Sequence, residues 1–158
     1  MPGLLRLLAL VALLAGAVAL GACGDDDSRQ EKNAYVQEVN AAQTEFAARV
    51  TSVSQEITPN SSPARDRRTL ERFEIAIESV VTQLKSIEVP DDVKTEHAQL
   101  VEAMTDFGTE IKKATTALRD PDTRSIAEAQ RAVTTATQTV NGQIDAAIAA
   151  INSKLRET

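Results

Sequence analysis

From Val93 the seam positions recur in steps of four and three, through His97, Leu100, Met104, Phe107, Ile111, Ala114 and Leu118. That heptad spacing lays one stripe along one face of an α-helix. Such a stripe must be hidden against others like it. Three more runs repeat the pattern: Tyr35, Val39, Ala42, Phe46, Val50, Val53 and Ile57; Leu70, Phe73, Ile77, Val80 or Val81, Leu84 and Ile87; and Ile126, Ala129, Val133, Ala136 or Thr137, Val140, Ile144, Ala147 or Ile148, Ile151 and Leu155. Period-two alternation, the mark of a half-buried strand, does not occur in these runs.

Turn and cap chemistry sets the boundaries. Ser28 with Glu31 reads as a capping box opening the first helix. The stretch Thr58, Pro59, Asn60, Ser61 ends it, and Ser62 before Pro63 supplies an N-cap followed by proline at the first helical position. Pro90 disfavours helical geometry at Val89, which closes the second helix near Glu88. Asp91 and Asp92 then offer negative charge to the positive end of the third helix. Asp120, Pro121 and Asp122 repeat the capped start for the fourth. The helices expected are therefore 29–57, 63–88, 91–118 and 121–156. Gly108 costs the third about 1 kcal/mol relative to alanine. The β-branched Thr134, Thr135, Thr137 and Thr139 make the middle of the fourth its weakest stretch.

Four long helices joined by short loops predict an all-α fold, an antiparallel up-down-up-down four-helix bundle. At 1.5 Å per residue each helix runs about 40 Å, which allows heights to be compared. Phe46 and Phe107, rising from one pole, and Phe73, descending from the other, reach nearly the same level, about 25 Å up. One aromatic layer is expected there, faced by the small residues Ala129, Ala132, Val133 and Ala136 of helix four. Tyr35 and His97 lie about six residues into helices one and three, so they share a layer nearer the first pole. A hydrogen bond between the Tyr35 hydroxyl and the His97 ring is expected, since burying either group alone is costly.

Ahead of the bundle, residues 1–22 carry Arg6 and the amino terminus as their only positive charges, then hydrocarbon, then small residues, the layout of a secretory signal. The uninterrupted apolar part is about 14 residues, short of the roughly 20 needed to span a bilayer. It ends in Leu20, Gly21, Ala22 and Cys23, the chain's one cysteine. This string resembles the lipobox of bacterial lipoproteins. The resemblance implies that Cys23 becomes a lipidated mature N-terminus, anchored to the extracytoplasmic face of the cell membrane by two or more acyl chains. The plainer reading is an ordinary signal peptide that leaves a thiol either free or paired between chains, since one cysteine cannot form an internal disulfide. Residues 23–28, rich in aspartate, read as a solvated tether. In layout the chain resembles small helical bacterial lipoproteins, a likeness that brings no function with it.

Removing residues 1–22 leaves 16 basic residues against 23 acidic ones, a net charge of −7. Such a surface argues against nucleic acid, whose binding needs clustered cations. Aromatics are 3% and tryptophan is absent, which disfavours sugar-stacking platforms. The only dense basic cluster is Arg65, Arg67, Arg68 and Arg72. It can hold an anionic wall polymer, a phosphate group or an acidic partner. Alternatively it is a solvated face partly balanced by Asp66 and Glu71. His97 is the only histidine, and the residue three before it is Lys94 rather than the glutamate of a di-iron bundle, so neither a metal site nor a cofactor is expected. No nucleophile-base pair or glycine-rich phosphate loop is marked, and an enzyme is not expected. The function expected is a membrane-anchored interaction or scaffold module with a protein or cell-envelope partner. A small-ligand or solute carrier with a cavity between helices stands second, and metal handling through His97 and Met104 third.

Overall fold

The computed structural model describes residues 26–57, 61–119 and 122–157. Within them the chain is all-α: α1 (Asp26–Glu56), α2 (Pro63–Ser86), a 3-10 turn (Asp91–Val93), α3 (Lys94–Ala117) and α4 (Thr123–Glu157). No strand occurs among the described residues. The helices pack in chain order, α1 on α2, α2 on α3 and α3 on α4, with the α3–α4 pair sharing the most extensive contact, and α4 also touches the 3-10 turn. The expected signal segment 1–22, Cys23 and the first residues of the expected tether lie outside the described residues, as do residues 58–60 and 120–121. No helix among the described residues is long and apolar enough to cross a membrane.

The expected stripes form one core. Val39, Phe46 and Val50 of α1, Leu70, Phe73, Ile77 and Leu84 of α2, Leu100, Met104, Phe107 and Ile111 of α3, and Val140, Ile151 and Leu155 of α4 are all buried. Phe46, Phe73 and Phe107 meet in one layer, with ring centroids 6.2, 6.0 and 5.8 Å apart. Phe107 stands edge-on to both of the others, the arrangement that sets positive ring edges on negative faces. On α4 the buried Ala129 and Ala136 present short side chains.

Two helix starts follow the expected chemistry. Ser62 Oγ accepts from the Arg65 backbone N–H at 3.4 Å with Pro63 in the first turn. Asp122 Oδ1 accepts from the Ser125 N–H at 2.6 Å, so Asp122 caps α4. The start of α1 is corrected. The helix begins at Asp26, which puts Ser28 inside the first turn rather than at a capping box, and takes residues 26–28 out of the tether. Acidic residues are favourable in the first turn of a helix, so the acidic run before Ser28 in the sequence permits an earlier start. The second helix also stops earlier, at Ser86: Ile87 is extended and Ser86 Oγ donates to the Gln83 carbonyl. Residues 91–93 form a 3-10 turn before α3 rather than its first α-helical turn. In the threonine-rich part of α4, Thr134 and Thr137 donate back to the carbonyls four residues earlier, and the helix runs through.

The two described glycines of α3 and α4 behave differently. A Cβ on Gly108 would lie 3.2 Å from Ile77 Cγ2, so the missing side chain there lets α2 and α3 approach beside the aromatic layer. A Cβ on Gly142 would meet nothing within 4 Å. Gly142→Ala is therefore expected to raise the unfolding free energy by about 0.5–1 kcal/mol, through lower backbone entropy in the unfolded chain. Gly108→Ala gains less or loses, because Ile77 must yield. Urea unfolding of the two variants side by side checks this, and equal gains would show that Gly108 is no packing site.

Candidate functional site

Along α2, Leu70, Phe73, Ile77, Val80 and Leu84 turn inward. Residues three, seven and ten beyond Arg65 fall on a different face, and Arg65, Arg68, Arg72 and Ile75 are all exposed. Ile75 is 66% exposed, the one large hydrophobic residue so placed among the described residues. With Thr69, Glu71 and Glu56 of α1 these four line a groove of about 590 Å³, open to solvent.

Its walls are built by hydrogen bonds across the α1–α2 pair. Thr69 Oγ1 donates to Glu56 Oε2 at 3.2 Å, and Arg72 Nη2 pairs with the same oxygen. Arg72 Nη2 also donates to Thr69 Oγ1 at 3.3 Å. The Arg72 guanidinium is thus held against the groove wall. Arg67 is separate from this group: it is half-buried, pairs with Glu71 at 3.8 Å and does not line the groove. The guanidinium groups of Arg65 and Arg68 have no carboxylate partner among the described residues.

The expected balancing of this cluster is corrected in one respect. Asp66 does not pair with an arginine: its Oδ1 is buried and has no hydrogen-bond partner among the described residues. Lying four residues before Leu70 and seven before Phe73, Asp66 sits on the inward face of the helix. Glu71 alone of the two expected carboxylates balances the cluster, through Arg67. Glu56, the carboxylate that joins Arg72, lies on another helix and carries no local sequence signal toward α2.

At the other end of α2 the structure brings Tyr35 and His97 together. Tyr35 Oη lies 3.2 Å from His97 Nδ1, and His97 Nε2 lies 3.0 Å from the Leu84 carbonyl oxygen. A carbonyl only accepts, so Nε2 carries the proton and the Tyr35 hydroxyl donates to Nδ1. Burial holds the imidazole below its usual pKa, with the Leu84 carbonyl pulling the other way. Burial also pushes the Tyr35 hydroxyl up, and the charge of Glu96 adds to that. Both ring nitrogens are spent inside the protein, so His97 offers no lone pair to a metal, and this cluster ties three helices together. Among the described residues no group of three or more His, Cys, Asp or Glu side chains is placed to hold a metal ion.

Neither histidine nor cysteine is among the described residues that line the groove. What it does present is planar guanidinium groups that can grip carboxylate or phosphate, next to an exposed aliphatic side chain. Searches against protein-family models, curated proteins and solved structures find no significant match to the chain.

Proposed function

We propose that the chain is a lipid-anchored, extracytoplasmic helical module that binds an envelope partner through the arginine groove of α2. The observation that carries this reading is the pair of guanidinium groups, Arg65 and Arg68, facing solvent without carboxylates in a molecule whose mature charge is strongly negative. In a surface with excess carboxylates, cations that stay unneutralised are available to an anionic partner. The lipobox-like string ending at Cys23 supplies the anchor. With lipid on Cys23, α1 carries the groove about 45 Å from the membrane, the length of its 31 residues at 1.5 Å each. The carrier reading would need a cavity between helices, and this groove lies on the outer side of α1 and α2.

Two measurements test the two halves of the proposal. Labelled palmitate is expected on the wild-type chain, which stays with membranes through an alkaline carbonate wash. Cys23→Ser is expected to take no label. Label on the variant, or a wild-type chain that washes off, would remove the anchor. For the groove, affinity capture from native membranes is compared between wild type and Arg65→Ala/Arg68→Ala. At least one envelope component is expected to be depleted in the double variant. Identical captures would remove the interaction role of the groove.

A further inference from the structure

We infer that the groove takes a short acidic, amphipathic protein helix, with carboxylates on Arg65 and Arg68 and an apolar side chain on Ile75. This deepens the proposed interaction role and rests on it only for the placement of the groove away from the membrane. Three observations select this occupant. The first is spacing: Arg65 and Arg68 are one helical turn apart, about 4.5 Å along the axis, the same rise that separates carboxylates at positions i and i+3 of a partner helix. The second is Ile75. A single exposed isoleucine is ordinary on a surface. This one closes the groove about 10 Å beyond Arg68, within two turns of the free guanidinium pair. An apolar contact beside charge pairs suits an amphipathic helix and adds nothing to the binding of a phosphate chain. The third is the carboxylates in the groove. Glu56 fixes Arg72 and Glu71 pairs with Arg67, so three lining guanidiniums share the groove with two carboxylates. A dense polyanion would meet both carboxylates, whereas a helix with two carboxylates needs only the two free arginines.

Fluorescence anisotropy with the full chain purified in detergent tests this. The probe is an alanine-based 18-residue helix with Glu at positions 3 and 6 and Leu at position 13. Its controls replace both Glu with Gln, or Leu with Ser, and tripolyphosphate serves as competitor. Expected are binding of the parent peptide, at least about tenfold weakening by the Gln control and by Arg65→Ala/Arg68→Ala, and about fivefold weakening by the Ser control and by Ile75→Ala. Tripolyphosphate is expected to displace the peptide only at large excess. Absence of binding, equal binding of parent and Gln peptides, or affinity unchanged in the double variant would overturn the inference. Tighter binding of tripolyphosphate than of the peptide would assign the groove to a phosphate polymer instead. Self-association of the chain that Ile75→Asp abolishes would assign it to a second copy. Palmitate labelling reads none of these outcomes, so failure here and failure of the anchor are distinguishable.

Discussion

Phe107→Ala is expected to lower the unfolding free energy by about 3–5 kcal/mol, the range for removing a buried aromatic ring. The ring is 4% exposed and stands edge-on to Phe46 of α1 and Phe73 of α2 at 6.0 and 5.8 Å. Truncation therefore loses the transfer of the ring from water and both edge-to-face contacts, and it opens a void between helices. Relaxation is restricted because the neighbours sit on different helices, so filling the void means moving a helix, and α4 includes the short Ala129 and Ala136 among its buried residues. Against a total stability of about 5–15 kcal/mol, the loss is about a fifth of the whole or more. Thermal unfolding should shift downward by on the order of 10 °C for a chain of this size. Phe107→Leu keeps most of the volume and should cost well under half as much. Urea unfolding followed by circular dichroism measures the difference. A loss below about 1 kcal/mol for the alanine variant would mean that no closed aromatic layer exists.

The layer was legible because two periodicities act together. The three-four spacing selects which side chains share a stripe, and the constant rise per residue converts chain position into height once antiparallel packing is assumed. Those two rules place Phe46, Phe73 and Phe107 together, and Tyr35 beside His97. They are rules about regular backbone, and they lose force where the backbone stops being regular. The end of α2 at Ser86 is such a place. It leaves the Leu84 carbonyl in the last turn, where no helical N–H follows to bond it in the α-helical pattern. That carbonyl is the second partner of His97, and nothing in the stripe pattern points to it. The start of α1 failed for a related reason. Dipole stabilisation by aspartates and hydroxyl capping by serine both mark a helix start, and a sequence carrying both signals side by side does not say which one wins.

The groove was only half legible. The run of four arginines is plain in the sequence, but a helix turns about 100° per residue, so neighbours in a run point in different directions. Arg65, Arg68 and Arg72 line the groove while Arg67 does not, and Asp66 between them has a buried Oδ1. That separation was available from the angle of each residue relative to Leu70 and Phe73. The part played by Glu56 was not. Whether a long side chain reaches across to the next helix depends on the axial offset of the two helices, and the turn between them leaves that offset open.

Tyr35→Phe and His97→Leu are each expected to cost about 1–3 kcal/mol, because each leaves a buried polar group without its partner. In His97→Leu the orphan is the Tyr35 hydroxyl, since Leu84 O still receives the Ile87 N–H at 3.2 Å. In Tyr35→Phe the orphan is His97 Nδ1. The double variant orphans neither, so it should cost less than the two singles together by at least about 1 kcal/mol. The one charged group that acts on this pair is Glu96, on Tyr35; elsewhere on α1, Lys32 pairs with Asp92 of the 3-10 turn at 3.2 Å. The pH dependence then has a fixed sign. The folded imidazole is held below its usual pKa, so as pH falls the unfolded chain takes up a proton at about 6.5 while the folded chain does not yet do so. Stability from this group is complete above about pH 6.5, declines as pH drops toward the folded value, and levels off below it. At the alkaline end the raised Tyr35 acts in the opposite direction. Above about pH 10 the unfolded phenol ionises while the folded one keeps its proton, and stability falls as pH rises. Carboxylates elsewhere also titrate in acid, so the diagnostic quantity is the difference between wild type and His97→Leu at about pH 5 and about pH 7.5. The cost of the substitution should be larger at the higher pH, where the neutral ring makes both of its bonds. A cost that does not change between the two would show that the ring is not held neutral between Tyr35 and Leu84.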